Sequence, residues 1–145
     1  MTYTPENWYY SETGEYINHQ IGNDTIPKPK INLPEPMHSH SFISINQSTS
    51  LLIGGMRLTT GMSNKTHFFN NDNNKWKSGP DLLQSRCYHA AGVLTDYATG
   101  KQHVAVVGGL GNGVFAAETL NSVELLLHGE NSWIQGTFIF FIVFL

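Results

Sequence analysis

A single cysteine, Cys87, in a chain of 145 residues rules out an internal disulfide, and a reducing compartment is the simpler expectation. Charge is scarce as well: Asp, Glu, Lys and Arg make up 13% of the residues, and the formal net charge is −3. That is neither the basic footprint of a nucleic-acid binder nor the acidity of a solvated tail, so no nucleic-acid partner is implied. The opening MTYTPENWYYSETGEY has no basic start and no apolar run, which argues against a cleaved secretory signal and makes the cytoplasm the expected location. No apolar run approaches the roughly 20 residues that cross a membrane, so no membrane partner is expected. Helical spacing is nowhere sustained. Three N-x-S/T triplets occur, at Asn23, Asn46 and Asn64. Roughly two would arise by chance in a chain this rich in Asn, Ser and Thr, so glycosylation is not expected.

What the chain does have is self-similarity. An apolar strand ending in two glycines occurs as LLIGG at 51–55 and again as VAVVGG at 104–109. Gly54 and Gly108 are 54 residues apart. Downstream of each pair, apolar residues lead through a polar turn to a tryptophan, in FFNNDNNKW at 68–76 and ELLLHGENSW at 124–133. Trp76 and Trp133 are 57 residues apart, and each has a glycine three positions later, Gly79 and Gly136. A weaker copy, YYSETGEY at 9–16, places Tyr16 where the others have tryptophan. A period in this range marks solenoids and propellers.

Between one tryptophan and the next glycine pair lies a further strand-like run. SRCYHAAGVL at 85–94 corresponds to HSHSFISI at 38–45, with His40 standing where His89 stands. The later copy carries five extra residues before its glycines, filled by the turn formers Asp96 and Gly100. SFISI at 41–45 reads as a half-buried strand and VAVV as a strand buried on both faces. VFAAETLNSVELLL at 114–127 is the best helical candidate, but its last third matches THFFN of the earlier copy and is read as strand.

This ordered set resembles the kelch repeat: Arg-x-x-His on a first strand, Gly-Gly closing a second, an aromatic on a third, and tryptophan opening a fourth. Arg86 and His89 match the first element, with Met37 in the arginine's place in the earlier copy. Gly54, Gly55, Gly108 and Gly109 match the second. Phe69, Leu126 by position, and Tyr9 fall near the aromatic, and Trp76 and Trp133 match the tryptophan. The resemblance implies an all-β fold, an incomplete kelch-type β-propeller built of four-stranded antiparallel blades. Residues 1–36 would hold a partial first blade, its third and fourth strands, plus a Pro-rich connection. Residues 37–84 would form a full blade, 85–136 a second with its last strand incomplete, and 137–145 an apolar tail outside the pattern.

In such a blade the glycines, tryptophans, Arg86 and His89 are scaffold, and binding belongs to the variable loops, here 56–65 and 110–121. The implied function is a non-catalytic protein-binding module of scaffold or adaptor type, with an unidentified protein partner and no cofactor. A propeller-type enzyme, such as a sugar oxidase or a sialic-acid epimerase, is the alternative. Fewer than three blades leave radial faces open, so a truncated fragment of a larger propeller is expected, with self-association through open blade edges. The uncharged run TFIFFIVFL at 137–145 has the β propensity of an aggregation-prone segment unless it joins a sheet.

Other chemistry is weaker. On a strand, His38 and His40 would share a face, but a zinc site needs about three or four ligands and only Glu35 lies near in sequence. Cys87 beside Tyr88 is similar to the cysteine–tyrosine pair of propeller copper oxidases, but neighbours on a strand point apart and cannot be cross-linked to each other. Cys87 is expected as a small buried apolar group. TIPKPKINLPEP at 25–36 reads as an extended linker. GGLGNG at 108–113 is followed by neither the lysine nor the helix of a phosphate loop.

Overall fold

The computed structural model describes residues 8–10, 15–18, 31–57, 59–113 and 116–136, and all regular structure among them is β-strand. Near the N-terminus, β1 (Trp8–Tyr10), β2 (Glu15–Asn18) and β3 (Ile31–Asn32) form an antiparallel three-stranded sheet in chain order. Its register corrects one reading of the sequence. Tyr16 lies opposite Tyr10, the neighbour of Tyr9. Within the supposed linker, Ile31 and Asn32 pair with Tyr16 and Glu15 and supply a third strand, while 25–30 lie outside the described residues.

The body of the fold is a four-stranded antiparallel sheet made twice. The first comprises β4 (Ser41–Ser44), β5 (Thr49–Ile53), β8 (Thr66–Asn70) and β9 (Lys75–Ser78), each paired with the next, with the hairpin β6 (Met56–Arg57) and β7 (Gly61–Met62) inserted after β5. The second comprises β11 (Ala90–Thr95), β12 (Gln102–Val107), β15 (Val123–Leu126) and β16 (Trp133–Gly136). After β12 come β13 (Leu110–Asn112) and β14 (Ala117–Thr119), which form a three-stranded sheet with β10 (Arg86–Cys87). The segment with helical spacing is thus two strands. The extra residues around Asp96 and Gly100 lengthen the β11–β12 hairpin, whose turn is closed by the Gly100 amide donating to the Asp96 carbonyl at 2.7 Å.

Aligned on their glycine pairs, the two sheets agree strand by strand. Trp76 lies opposite Phe69 as Trp133 lies opposite Leu126, and Ile53 lies opposite Thr66 as Val107 lies opposite Val123. The main core joins the sheets: Leu51 and Ile53, with Ile43, Ile45 and Phe68 against them, meet Val104, Val106, Leu126 and Trp133. Side chains alternate between faces along a strand, so these two sets can be compared face by face. The equivalents of Val104, Val106, Leu126 and Trp133 in the first sheet are Ser50, Leu52, Phe69 and Trp76, all on the face that the first sheet does not use in this core. The sheets therefore stack front to back, as successive members of an array, and not as the self-mirrored halves of a two-fold sandwich. The second sheet's opposite face carries its own cluster of Ala105, Val123 and Leu125.

Burial follows from this stack. Trp133 is 3% exposed, with its Nε1–H donating to the Pro80 carbonyl at 3.0 Å across the sheet junction. Trp76, on the face of the first sheet opposite this core, is half-buried against Phe69 and Phe42, at ring-centre distances of 4.7 and 6.0 Å. Leu82 lies in the polar-looking PDLLQSR segment and is nevertheless core. Among the described residues no helix is long and apolar enough to cross a membrane.

Candidate functional site

The glycine pairs are turning points, and at Gly54, Gly55 and Gly109 the neighbouring atoms leave no room for a side chain. All four glycines have positive φ, from 57° at Gly54 to 102° at Gly55. A Cβ on Gly109 would stand 2.5 Å from the Cys87 carbonyl oxygen and 2.9 Å from the His89 Cβ. One on Gly55 would stand 2.8 Å from the His40 Cβ. The second glycine of each pair thus packs against the histidine of its own repeat, in keeping with the His40–His89 correspondence in the sequence, while a Cβ on Gly54 would also stand 2.9 Å from the His89 ring of the next repeat.

Ser39 and Tyr88, each immediately before that histidine, both adopt the left-handed conformation, at φ 55° and 53°. The backbone leaves strand geometry there, so His38 and His40 do not share a strand face. His38 is half-buried with its Nδ1 against the Ser39 hydroxyl at 2.9 Å, whereas His40 packs over Gly55. Burial, and secondarily the nearby His38, pushes the His40 imidazole down to about 4. Burial, then the charge of Arg86 and of His40, pushes His89 down to about 4 against a small upward pull from the Ile53 backbone. Both rings are neutral at pH 7, and among the described residues neither His89 nitrogen meets a partner at full hydrogen-bond geometry. Among the described residues no three His, Cys, Asp or Glu side chains converge as metal ligands. Cys87 is fully buried and burial pushes its thiol up, while Tyr88 is 65% exposed.

Arg86 is the centre of the second sheet's polar network. Its guanidinium donates to the Gly108 carbonyl at 2.8 Å, the Ser122 hydroxyl at 2.9 Å and the Glu124 carboxylate at 2.7 Å. Glu124 also accepts the backbone amides of Leu83 at 2.6 Å and Gln84 at 3.1 Å. A buried ion pair is costly unless most of its other donors and acceptors are met; here the two terminal guanidinium nitrogens and both Glu124 oxygens are, while Arg86 Nε has no partner among the described residues. Glu124 was overlooked in the sequence; its signal was a lone charge inside the apolar run VELLL.

The first sheet replaces this whole network. Met37 stands for Arg86, His67 for Glu124, and Pro34 and Glu35 for Leu83 and Gln84. Proline has no amide to donate and histidine no carboxylate to receive one, so donor and acceptor are lost together. In their place is a cleft of about 350 Å³ lined by Glu35, Arg57, Lys65, His67, Ser78 and Asp81. Arg57 pairs with Glu35, and Lys65 with Asp81 at 2.5 Å. Burial pulls the His67 imidazole below its usual value, with Glu35 and Asp81 acting upward and Arg57 and Lys65 downward.

The two stretches expected as binding loops are hairpins, β6–β7 and β13–β14. Thr59 and Thr60 are exposed at the first, and Ala117, Glu118 and Thr119 at the second. Of the N-x-S/T asparagines, Asn46 lies in an exposed turn, Asn64 donates to the Leu82 carbonyl at 3.3 Å, and Asn23 lies outside the described residues, as does the tail 137–145. No protein-family model matches the chain, and no curated protein matches it.

Proposed function

We propose that this chain is part of a kelch-type β-propeller that binds another protein without catalysis. The observation that carries the reading is the front-to-back stack of two equivalent four-stranded sheets, each with a glycine-pair turn, a histidine packed against it and a tryptophan on its last strand. Heterologous stacking of this kind closes into a ring when the rotation per unit is right, and a propeller is that ring. The residues resembling kelch positions all serve packing: Gly54, Gly55, Gly108 and Gly109 turn the chain, Arg86 and His89 hold the junction, and Trp76 and Trp133 cover sheet faces. Recognition is left to the exposed hairpins, whose sequences differ between the two repeats.

The test separates scaffold from recognition. Thr60→Arg and Glu118→Arg alter exposed hairpin positions and should leave the fold intact while weakening capture of one and the same partner by at least about 10-fold. A partner whose affinity is indifferent to both substitutions contradicts the assignment of the hairpins. Turnover of a small substrate by the purified chain contradicts the non-catalytic reading.

A further inference from the structure

The cleft of the first sheet is a departure from the repeat at the place where the repeat would otherwise be filled. In the second sheet the Glu124 carboxylate and its three donors from Leu83, Gln84 and Arg86 occupy the equivalent position. In the first, those positions hold Pro34, Glu35, Met37 and His67, and a space of about 350 Å³ remains. A junction serving only stability would be expected to fill that space with apolar side chains. Its rim instead carries two cations and two carboxylates. Their side chains are 24% and 29% exposed in the Arg57–Glu35 pair, and 48% and 45% exposed in the Lys65–Asp81 pair. Charged heads so placed can exchange an internal partner for an external one.

The balance of signs restricts the ligand. Arg57 and Lys65 offset Glu35 and Asp81, so a simple anion entering the cleft gains two attractions and meets two repulsions, and a simple cation fares no better. A molecule bearing both charges a few ångströms apart can set each end towards the opposite sign and so gains at both. The volume lies at the lower end of the range of small-ligand sites. We propose that this cleft binds a free amino acid, its carboxylate directed to Arg57 and Lys65 and its ammonium group to Glu35 and Asp81. The proposal does not depend on the propeller reading.

His67, on the wall of the cleft, reports occupancy. A panel of free amino acids would be titrated into the intact chain while the His67 ring resonances are followed, with acetate and methylammonium as single-charge controls at constant ionic strength. At least one amino acid should shift His67 saturably and bind at least about 10-fold more tightly than either control. Arg57→Gln and Asp81→Asn, with the fold checked by their amide spectra, should each weaken that binding by about 10-fold or more. Absence of a saturable His67 shift with every amino acid up to about 10 mM, or saturation by acetate alone at equal affinity, would overturn the proposal. If either variant fails to fold, the wild-type panel decides by itself.

Discussion

The Arg86 guanidinium and the Glu124 carboxylate meet at 2.7 Å with their side chains 0% and 1% exposed, and the equivalent residues of the other repeat are the uncharged Met37 and the histidine His67. A charge left alone at such a site is far more costly than the pair is stabilising. Arg86→Met should therefore destabilise the fold by about 3–5 kcal/mol, and Glu124→His by a similar amount. The double variant, which installs the first repeat's own combination, should cost clearly less than the sum. Urea unfolding of the four proteins in a double-mutant cycle measures that coupling.

The glycine pairs supply a second prediction with an internal control. Gly129 has φ 81° and open space where a Cβ would stand, so Gly129→Ala should cost only the left-handed penalty of about 1–2 kcal/mol. Gly109 has φ 95° and backbone 2.5 Å from the same point. Gly109→Ala should cost about 3–5 kcal/mol, and equal costs at the two positions would contradict the close approach of Cys87.

Stability should depend on pH through His40 and His89. Both are lowered to about 4 from an ordinary 6.5, so between those values the unfolded chain binds more protons than the folded one. Their contribution is fully present above about pH 6.5 and is lost as pH falls towards 4, by no more than about 3 kcal/mol per ring. Ring titration by NMR checks the cause directly, and midpoints near 6.5 for both would contradict it.

The tryptophans differ in burial, Trp133 being 3% exposed in the core between the sheets and Trp76 half-buried. Trp133→Ala should cost about 3–5 kcal/mol. Trp133→Phe keeps most of the apolar area but loses the bond to the Pro80 carbonyl, at about 1 kcal/mol. Trp76→Ala, at a half-buried position, should cost less than its counterpart in the same unfolding assay.

Strand content and the two glycine-pair turns were legible in the sequence because they repeat, and repetition separates signal from chance. What does not repeat was not legible. The left-handed backbone at Ser39 and Tyr88 carries no glycine to announce it, so His38 and His40 were expected on one strand face. Glu124 was hidden because its meaning lies in amides 40 and 41 residues away. The cleft was hidden for the same reason: Pro34, Arg57 and Asp81 are scattered along the chain, and only folding brings them to one space.

Equivalent sheets stack front to back, and a methyl NOESY spectrum reads that stacking out: Val104 and Val106 of β12 should show cross-peaks to Leu51 and Ile53 of β5, while Ala105 should share cross-peaks with Val123 and Leu125 and none with β5. Cross-peaks from Ala105 to Leu51 or Ile53, with none from the two valines, would put the second sheet's other face in the junction and contradict the account.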